Sequence, residues 1–392
     1  MVVNVIQDIV PSIRATGAAV LRAYNLFPNL INSSYSVDAR QPGSAVEVSI
    51  PPTITTRKVV PGNIHPASTP FTVGSVPIVL DFFEESEFGL PEDELGKIQN
   101  REVSSFTQSA AVSIVQAANT YTINKMYKRS YNVIGDVATT PFENGTTSYA
   151  NRARRVLDEN LAPNNDRYLV LDLFADEKAS SLDLFLRVNE SGTDLTLRTG
   201  EIGTKLGFSW WRTQLMPRHE SAPGLDGAYQ IDSTTHAIDD TQVTISQVGG
   251  APNVDFVEGD IFTVAGDAQT YVVTKTEVGV NSGDLTLQYL PKAKTAFADD
   301  AIISVIPTHT VSLAFHRNST GFANRLLFVD EFQHQMPGKI IEPVRDPESG
   351  LTMTYLASPQ YYQTSHAYSI LCGAAVIRPE HIVRIIGNPN PA

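Results

Sequence analysis

The sequence predicts an α+β fold that carries an inserted small β-barrel, and three observations predict it. Residues 99–127 form one long run of helical periodicity. Residues 148–188 alternate helix-like stretches with one apolar strand, the pattern of a mixed domain. Residues 222–308 contain no arginine and break into short β runs punctuated by Gly-Asp pairs, as a small barrel or sandwich does. The chain has 392 residues, 42% of them hydrophobic. That is enough apolar material for two or three cores, since single cores rarely grow past about 250–300 residues.

Residues 3–24 place Ile6, Ile9, Ile13, Val20 and Tyr24 near one helical face, with Pro11 and Gly17 weakening the helix. Such a stripe needs a surface to lie on. Residues 46–50 alternate as a half-buried strand, and 75–81 form a second one. The proline-rich stretch between them makes the tip of an extended hairpin. It serves either as a surface loop or as an arm reaching another subunit. In the 99–127 helix, Val103, Phe106, Ala110, Ile114, Ala117 and Tyr121 step by three and four, and small residues line the rest. A long helix this weakly polar is usually held between layers.

Residues 148–163 read as a helix stopped by Pro163, 166–176 carry a buried strand, and 180–188 are helix-like. The segment 222–308 supplies strands within TQVTISQV, GDIFTVAGDAQTYVVTKTEV, SGDLTLQYL and AIISVI. Mixed α/β patterning lies on both sides of it, so it reads as an insertion. Val311, Leu313 and Phe315 then alternate on a strand, and Ser319 is placed to cap a short helix carrying Phe322, Ala323 and Leu326. Residues 339–357 form a hairpin turning at 346–350, and 367–386 supply closing strands.

The net charge is −13, and nine of those negative charges fall in 222–308. Such a chain has no general pull toward nucleic-acid phosphate. The single cysteine, Cys372, lies in an apolar run and cannot make an internal disulfide or a thiolate cage. Four Asn-x-Ser/Thr triplets start at Asn32, Asn144, Asn189 and Asn318; with no export signal in MVVNVIQDIVPSIRATG, they read as polar loops. No run reaches the roughly 18–20 apolar residues that span a bilayer. The expectation is a soluble protein made in a reducing cytoplasm.

No catalytic, cofactor-binding or metal-binding residue can be assigned. The row His316, Arg317, Asn318, Ser319 is either an active site or a polar corner between two apolar elements, and the corner is favoured because no G-x-S-x-G motif accompanies it. No histidine pair has zinc spacing, and neither phosphate-binding glycine motif occurs. NVDFVEGD (253–260) clusters three acids as a loose calcium site or, more simply, a solvated turn. Trp210-Trp211 is a sugar platform or one core and one surface residue, since neighbours on a strand face opposite ways. Glu84, Glu85 and Glu87 beside Phe82, Phe83 and Phe88 suit acid–base work, or a hairpin base set against a neighbour's basic residues.

The order of these parts resembles the major capsid protein fold of tailed double-stranded DNA bacteriophages, and more closely the coat-protein branch of short-tailed enteric phages with an inserted β-barrel domain. The motifs that carry the resemblance are VVNVIQDIVPSIRATGAAVL, SVPIVLDFFEESEFGLPEDEL, RVLDENLAPNNDRYLVLD, GEIGTKLGF, GDIFTVAGDAQTYVV, VSLAFHRNSTGFANRLL and DPESGLTMTYL, in that order over nearly the whole chain.

The resemblance implies an N-terminal arm (1–45), an extended loop (46–90) and a peripheral domain with the spine helix (91–135) closed by 336–392. It also implies an axial domain in two parts (136–221 and 309–335) around the insertion (222–308). It implies inter-subunit contacts at Arg57, Lys58, Glu84, Glu85 and Glu87, and at a loop of the insertion containing His236, Asp239 and Asp240. The product would be a homo-oligomer of pentamers and hexamers in a virion shell, assembled in the host cytoplasm with scaffolding and portal proteins. It would enclose double-stranded DNA without reading its sequence, and would need no membrane, cofactor or catalysis. A cellular nanocompartment shell shares that fold, and a carbohydrate-binding or carbohydrate-active β-rich protein is the alternative from a different class.

Overall fold

The computed structural model describes residues 15–21, 26–37, 45–50, 56, 73–91, 100–143, 147–187, 199–232, 236–249, 254–277, 285–326, 340–346 and 351–389. The proline-rich tip of the hairpin, with Arg57 and Lys58, lies outside them, as does most of the expected 3–24 helix, of which residues 15–21 are helical.

The strands β1 (Ala45–Ile50), β2 (Gly74–Val79) and β3 (Phe82–Pro91) precede the long helix α1 (Asn100–Tyr127). Then come β4 (Asn132–Gly135), α2 (Ser148–Glu159), β5 (Arg167–Leu171), α3 (Leu173–Ser180) and α4 (Asp183–Leu186). Short strands follow: β6 (Thr204–Lys205), β7 (Phe208–Arg212), β8 (Arg218–His219) and β9 (Tyr229–Ile231). The run β10 (Gln242–Gln247), β11 (Ile261–Val264), β12 (Tyr271–Val273), β13 (Leu285–Leu290) and β14 (Ile303–Val305) matches the expected short β runs. The chain finishes with β15 (His309–His316), β16 (Thr320–Arg325), β17 (Ile340–Arg345), β18 (Thr352–Gln360), β19 (Gln363–Val376) and β20 (Ile382–Gly387).

The chain divides into two compact units, one of residues 1–19, 33–114 and 321–377, the other of 20–32, 115–320 and 378–392. In the first, β1 and β2 form an antiparallel ribbon, with Val46 opposite Ile78 and Val48 opposite Val76. Period-2 alternation in β1 turns Val46 and Val48 inward, where they meet Ile78, Leu80, Ala323, Leu371 and Ile377. A second sheet has the order β16-β19-β18-β17, with β3 on β19 in antiparallel register from Phe82↔Cys372 to Pro91↔Gln363.

Two features of this unit correct the sequence reading. The helix expected from Ser319 is the strand β16. Its backbone is confined: a Cβ on Gly321 would come within 3.1 Å of Ile78, Ile377 and Tyr35. Asn324 next to it bridges two strands, donating to Leu371 O (3.1 Å) and accepting from Thr352 N (2.8 Å). Second, the buried stripe of α1 keeps Ala110 and Ile114 of the expected one but otherwise shifts by one residue. Phe106 is 47% exposed while Thr107, Ala111, Ile114, Ala118 and Thr122 are buried. Polar positions can enter that stripe because their hydrogen bonds are met: Thr122 Oγ1 donates to Ala118 O at 2.9 Å.

In the second unit a seven-stranded sheet runs β4-β20-β15-β5-β7-β6, with β8 on β15. The pairs β4/β20 and β5/β7 are parallel. β20 therefore belongs to this sheet rather than beside β17–β19. The buried alanines of α2 and α3 pack with Leu169, Leu171, Phe208, Ala314, Val383 and Ile385 of the sheet. α2 stops at Glu159, before Pro163, because Leu161 takes a left-handed conformation (φ 57°) that ends the helix. β5 ends at Leu171, earlier than the expected strand, because Asp172 accepts a hydrogen bond from Ala175 N and caps α3.

The same unit holds a six-stranded sheet, β14-β11-β12-β13-β10-β9. An antiparallel bridge between Gln230 and Ile302 joins its two end strands, so the sheet curls round a core of Tyr229, Phe256, Phe262, Tyr271, Leu287 and Tyr289. Closure of this kind removes the free edges that a short sheet would otherwise present. Two of the Gly-Asp pairs sit where turns need them: Gly259 and Gly266 have φ of 100° and 92°.

Candidate functional site

The residues singled out in the sequence fall into separate places. Glu84 and Glu85 lie exposed on β3, opposite Ile370 and Ser369 of β19. Glu87 accepts a hydrogen bond from Ser365 Oγ across the same pair of strands. With Phe83 56% exposed, this strand shows solvent a mixed acidic and apolar face. Two carboxylates are thus free to meet a basic partner, and the third is tied into the fold.

In the loop of the six-stranded sheet, His236 turns inward. Its ring stacks on Phe297 at 4.1 Å, Nε2 lies 2.7 Å from Tyr289 OH, and Nδ1 accepts from Phe297 N at 3.1 Å. Burial lowers its pKa. The loop is anchored by Asp240, whose Oδ2 accepts from Ala237 N at 2.9 Å. What it shows to solvent is Ala237, Ile238 and Asp239, with Ile238 61% exposed. His236 thus holds the loop in shape, and Ile238 and Asp239 form its outward surface.

The other expected features resolve as follows. His316 stands at the corner between β15 and β16, as expected, but is itself buried; its Nδ1 accepts from Asn318 N at 3.2 Å and closes the turn before β16. Arg317 is exposed and Ser319 buried, so no nucleophile–base pair forms. Trp210 is 8% exposed and Trp211 45%, one core and one surface residue. Cys372 is buried and free, and burial pushes its thiol pKa up, which makes it unreactive. Among the described residues no cluster of three or more His, Cys, Asp or Glu could hold a metal ion.

The most constrained polar cluster joins residues far apart in sequence. Arg384, on β20, is fully buried; Nη1 donates to Gly259 O at 2.8 Å and the guanidinium lies 5.0 Å from the centre of the Tyr127 ring. His219 Nε2 donates to Asp260 Oδ1 at 2.9 Å, and Asp260 Oδ2 accepts from Val257 N at 2.7 Å. His309 donates from Nδ1 to Pro307 O at 2.6 Å, and its ring lies 5.2 Å from that of His219. Burial, then the Arg384 charge, pushes the His309 pKa down to about 2. Burial also lowers Arg384, to about 9, against the opposing pull of Tyr127 and Asp260. His219 is lowered by burial despite its bond to Asp260. Only Gly259-Asp260 stood out in the sequence, as a turn. Its partners are 41 and 125 residues away, and no local pattern signals them.

By sequence, the chain matches no protein-family model and no curated protein. By structure it is similar to a chain of Mycobacterium phage Che8, at TM-score 0.50 and 12% identity over 92% of this chain and 90% of that one. It is also similar to a chain in the capsid structure of the cyanophage P-SCSP1u (TM-score 0.49, 12% identity, 93% and 89% covered). A third likeness is to the virus-like particle from Pyrococcus furiosus (TM-score 0.41, 11% identity, 96% and 98% covered). The first likeness establishes a mixed helix-and-sheet fold shared with a phage protein over most of both chains.

Proposed function

We propose that this chain is the major capsid protein of a tailed double-stranded DNA phage, a structural subunit without catalytic activity. The observation that carries this reading is the shared fold with a phage protein over 92% of the chain, a likeness too broad to come from one module. The chemistry is consistent with it. The buried histidines serve packing and turn closure, and the exposed features are a charged strand and a projecting loop, which suit contacts with further copies.

The finer assignment is to the short-tailed enteric branch, with 222–308 as an inserted β-barrel that points away from the shell. On this reading residues 46–90 reach over a neighbouring subunit, where Glu84 and Glu85 meet basic side chains, and Arg57 and Lys58 meet acidic ones. Ile238 and Asp239 of the insertion loop touch a neighbouring capsomer. Scaffolding and portal proteins direct assembly in the host cytoplasm, and the shell encloses DNA in the virion.

Deleting residues 55–72 tests the reading. The shortened chain is expected to stay folded by circular dichroism, because β1 and β2 keep their ribbon, but to form no closed particles by negative-stain electron microscopy. The full chain is expected to form them. Closed particles from the deletion variant would remove the arm from the assembly mechanism, and a full chain that stays monomeric under all assembly conditions would remove the shell function.

A further inference from the structure

We propose that the turn Val257–Asp260 is an acid-released latch, which fastens the six-stranded sheet to the seven-stranded sheet at neutral pH and lets go when His219 and His309 take up protons. The contacts that hold the turn down come from side chains. They are Arg384 Nη1 to Gly259 O, His219 Nε2 to Asp260 Oδ1, and Lys128 Nζ to Glu258 Oε2 at 3.4 Å. A second tie lies nearby, from Thr270 Oγ1 to Tyr131 O at 2.6 Å. The turn fits closely, since a Cβ on Gly259 would lie 3.2 Å from Lys128 Cγ and 3.5 Å from His219 Cε1.

The attachment is narrow. Two clefts open between the same parts of the chain. One, of about 560 Å³, is lined by Val137, Asn388 and Pro389 on one side and Pro223, Leu225 and Pro307 on the other. The other, of about 660 Å³, lies between Tyr131, Asn132 and Asn160 and the segment Asp267–Thr270 with Lys292 and Lys294. Solvent therefore comes close to a seam whose central residues, Arg384, His309, Asp260 and His219, are buried.

The charge arrangement makes that seam responsive to protons. Lys128 and Arg129 at the end of α1, His219 on β8, His309 on β15 and Arg384 on β20 supply the cationic or potentially cationic groups; Tyr127 is neutral. Glu258 and Asp260 of the turn are the anions that face them. With both histidines neutral, Arg384 is balanced by Asp260. A proton on His309 sets a second cation near Arg384 with no further carboxylate to answer it, and a proton on His219 adds a third. Burial therefore keeps both imidazoles neutral while the latch is closed. Release into water restores their ordinary basicity, so each histidine favours the open form by up to about tenfold for every pH unit below roughly 6.5.

Imidazole C2–H exchange of the full-length chain, read histidine by histidine by mass spectrometry, tests this. Each rate is taken relative to the urea-unfolded chain at the same pH. At pH 7.5, His219 and His309 are expected to exchange at least tenfold slower than in the unfolded chain. Near pH 5 these two are expected to approach the unfolded rate, while His236, His316, His366 and His381 stay slow. Simultaneous release of all six would mean general unfolding and overturn the latch, as would continued protection of His219 and His309 at pH 5. A chain with His219→Gln and His309→Gln supplies a second readout. Proteolysis at the connecting residues 222–226 and 305–308 is expected to rise on acidification in the wild type and not in the variant, and equal sensitivity would count against the proposal. If that variant fails to fold, the wild-type exchange pattern decides alone.

Discussion

Replacing Gly373 with alanine is expected to cost about 3 kcal/mol of stability, at the top of the usual range for overpacking, and to abolish assembly with it. A Cβ at this position would lie 2.1 Å from Val79 O, 2.8 Å from Val79 C and 3.1 Å from Leu80 Cα. All three are backbone atoms at the end of β2, so no side chain can swing away to make room. Either β19 bends or the ribbon β1–β2 lifts off its seat on Leu371 and Ile377, which buries Ile78 and Leu80. Gly74, at the start of the same strand, is the control. An added Cβ there meets nothing within 4 Å, so Gly74→Ala is expected to change stability by less than about 1 kcal/mol, in the stabilising direction. Urea titrations of both variants followed by circular dichroism separate the two. A Gly373→Ala midpoint equal to that of Gly74→Ala would show that β2 does not pass over β19 as described.

Acid is expected to be the most damaging mild condition for the isolated subunit. His219, His236, His309, His316, His366 and His381 are all buried, and in each case burial lowers the pKa in the folded chain. In the unfolded chain the same groups titrate near 6.5. Below that pH the unfolded state binds more protons than the folded one, so stability rises with pH there. It is fully present above about 6.5 and is lost as pH falls toward the depressed folded values. Each histidine contributes up to about 1.4 kcal/mol per pH unit in that window. Burial raises the pKa of Asp172 and Asp176, and this opposes the trend above their ordinary carboxyl range, but these are two groups against six histidines. Melting temperatures measured from pH 8 to pH 5 are expected to be level down to about 6.5 and then to fall steeply. A flat profile across the whole range would mean that these histidines are not held neutral by burial.

The periodic elements were legible in the sequence. The alternation in Val46-Glu47-Val48 is β1, the glycine-punctuated runs between 241 and 306 are β10 to β14, and the long weakly polar run is α1. The split of Trp210 and Trp211 between core and surface followed from strand geometry alone. Other readings failed where a distant partner overrides local preference. The Ser319 stretch has a cap residue and helical spacing, yet it is β16, because the backbone of Gly321 must pass between Tyr35, Ile78 and Ile377. The corner at His316 was legible, but not that His316 itself is enclosed, with His381 6.1 Å away. His236 was grouped with a projecting loop, and Phe297 and Tyr289 draw it inward from more than fifty residues away. Glu84 and Glu85 were legible as exposed acids. That Glu87 is bound to Ser365 could not be seen, because β3 and β19 lie at opposite ends of the chain.

Taken alone, then, the order of residues determined the kinds of elements, their approximate limits and the acidic, arginine-free stretch between them. Each of these depends on spacing within a few residues, and periodicity of apolar side chains records it directly. Only the tertiary structure decided which strands are neighbours, which face of α1 is covered, and that Arg384, His219, His309 and Asp260 share one buried seam. Those outcomes depend on contacts between residues up to 290 positions apart, as Phe82 and Cys372 are, and such contacts leave no period in the sequence from which they could be read.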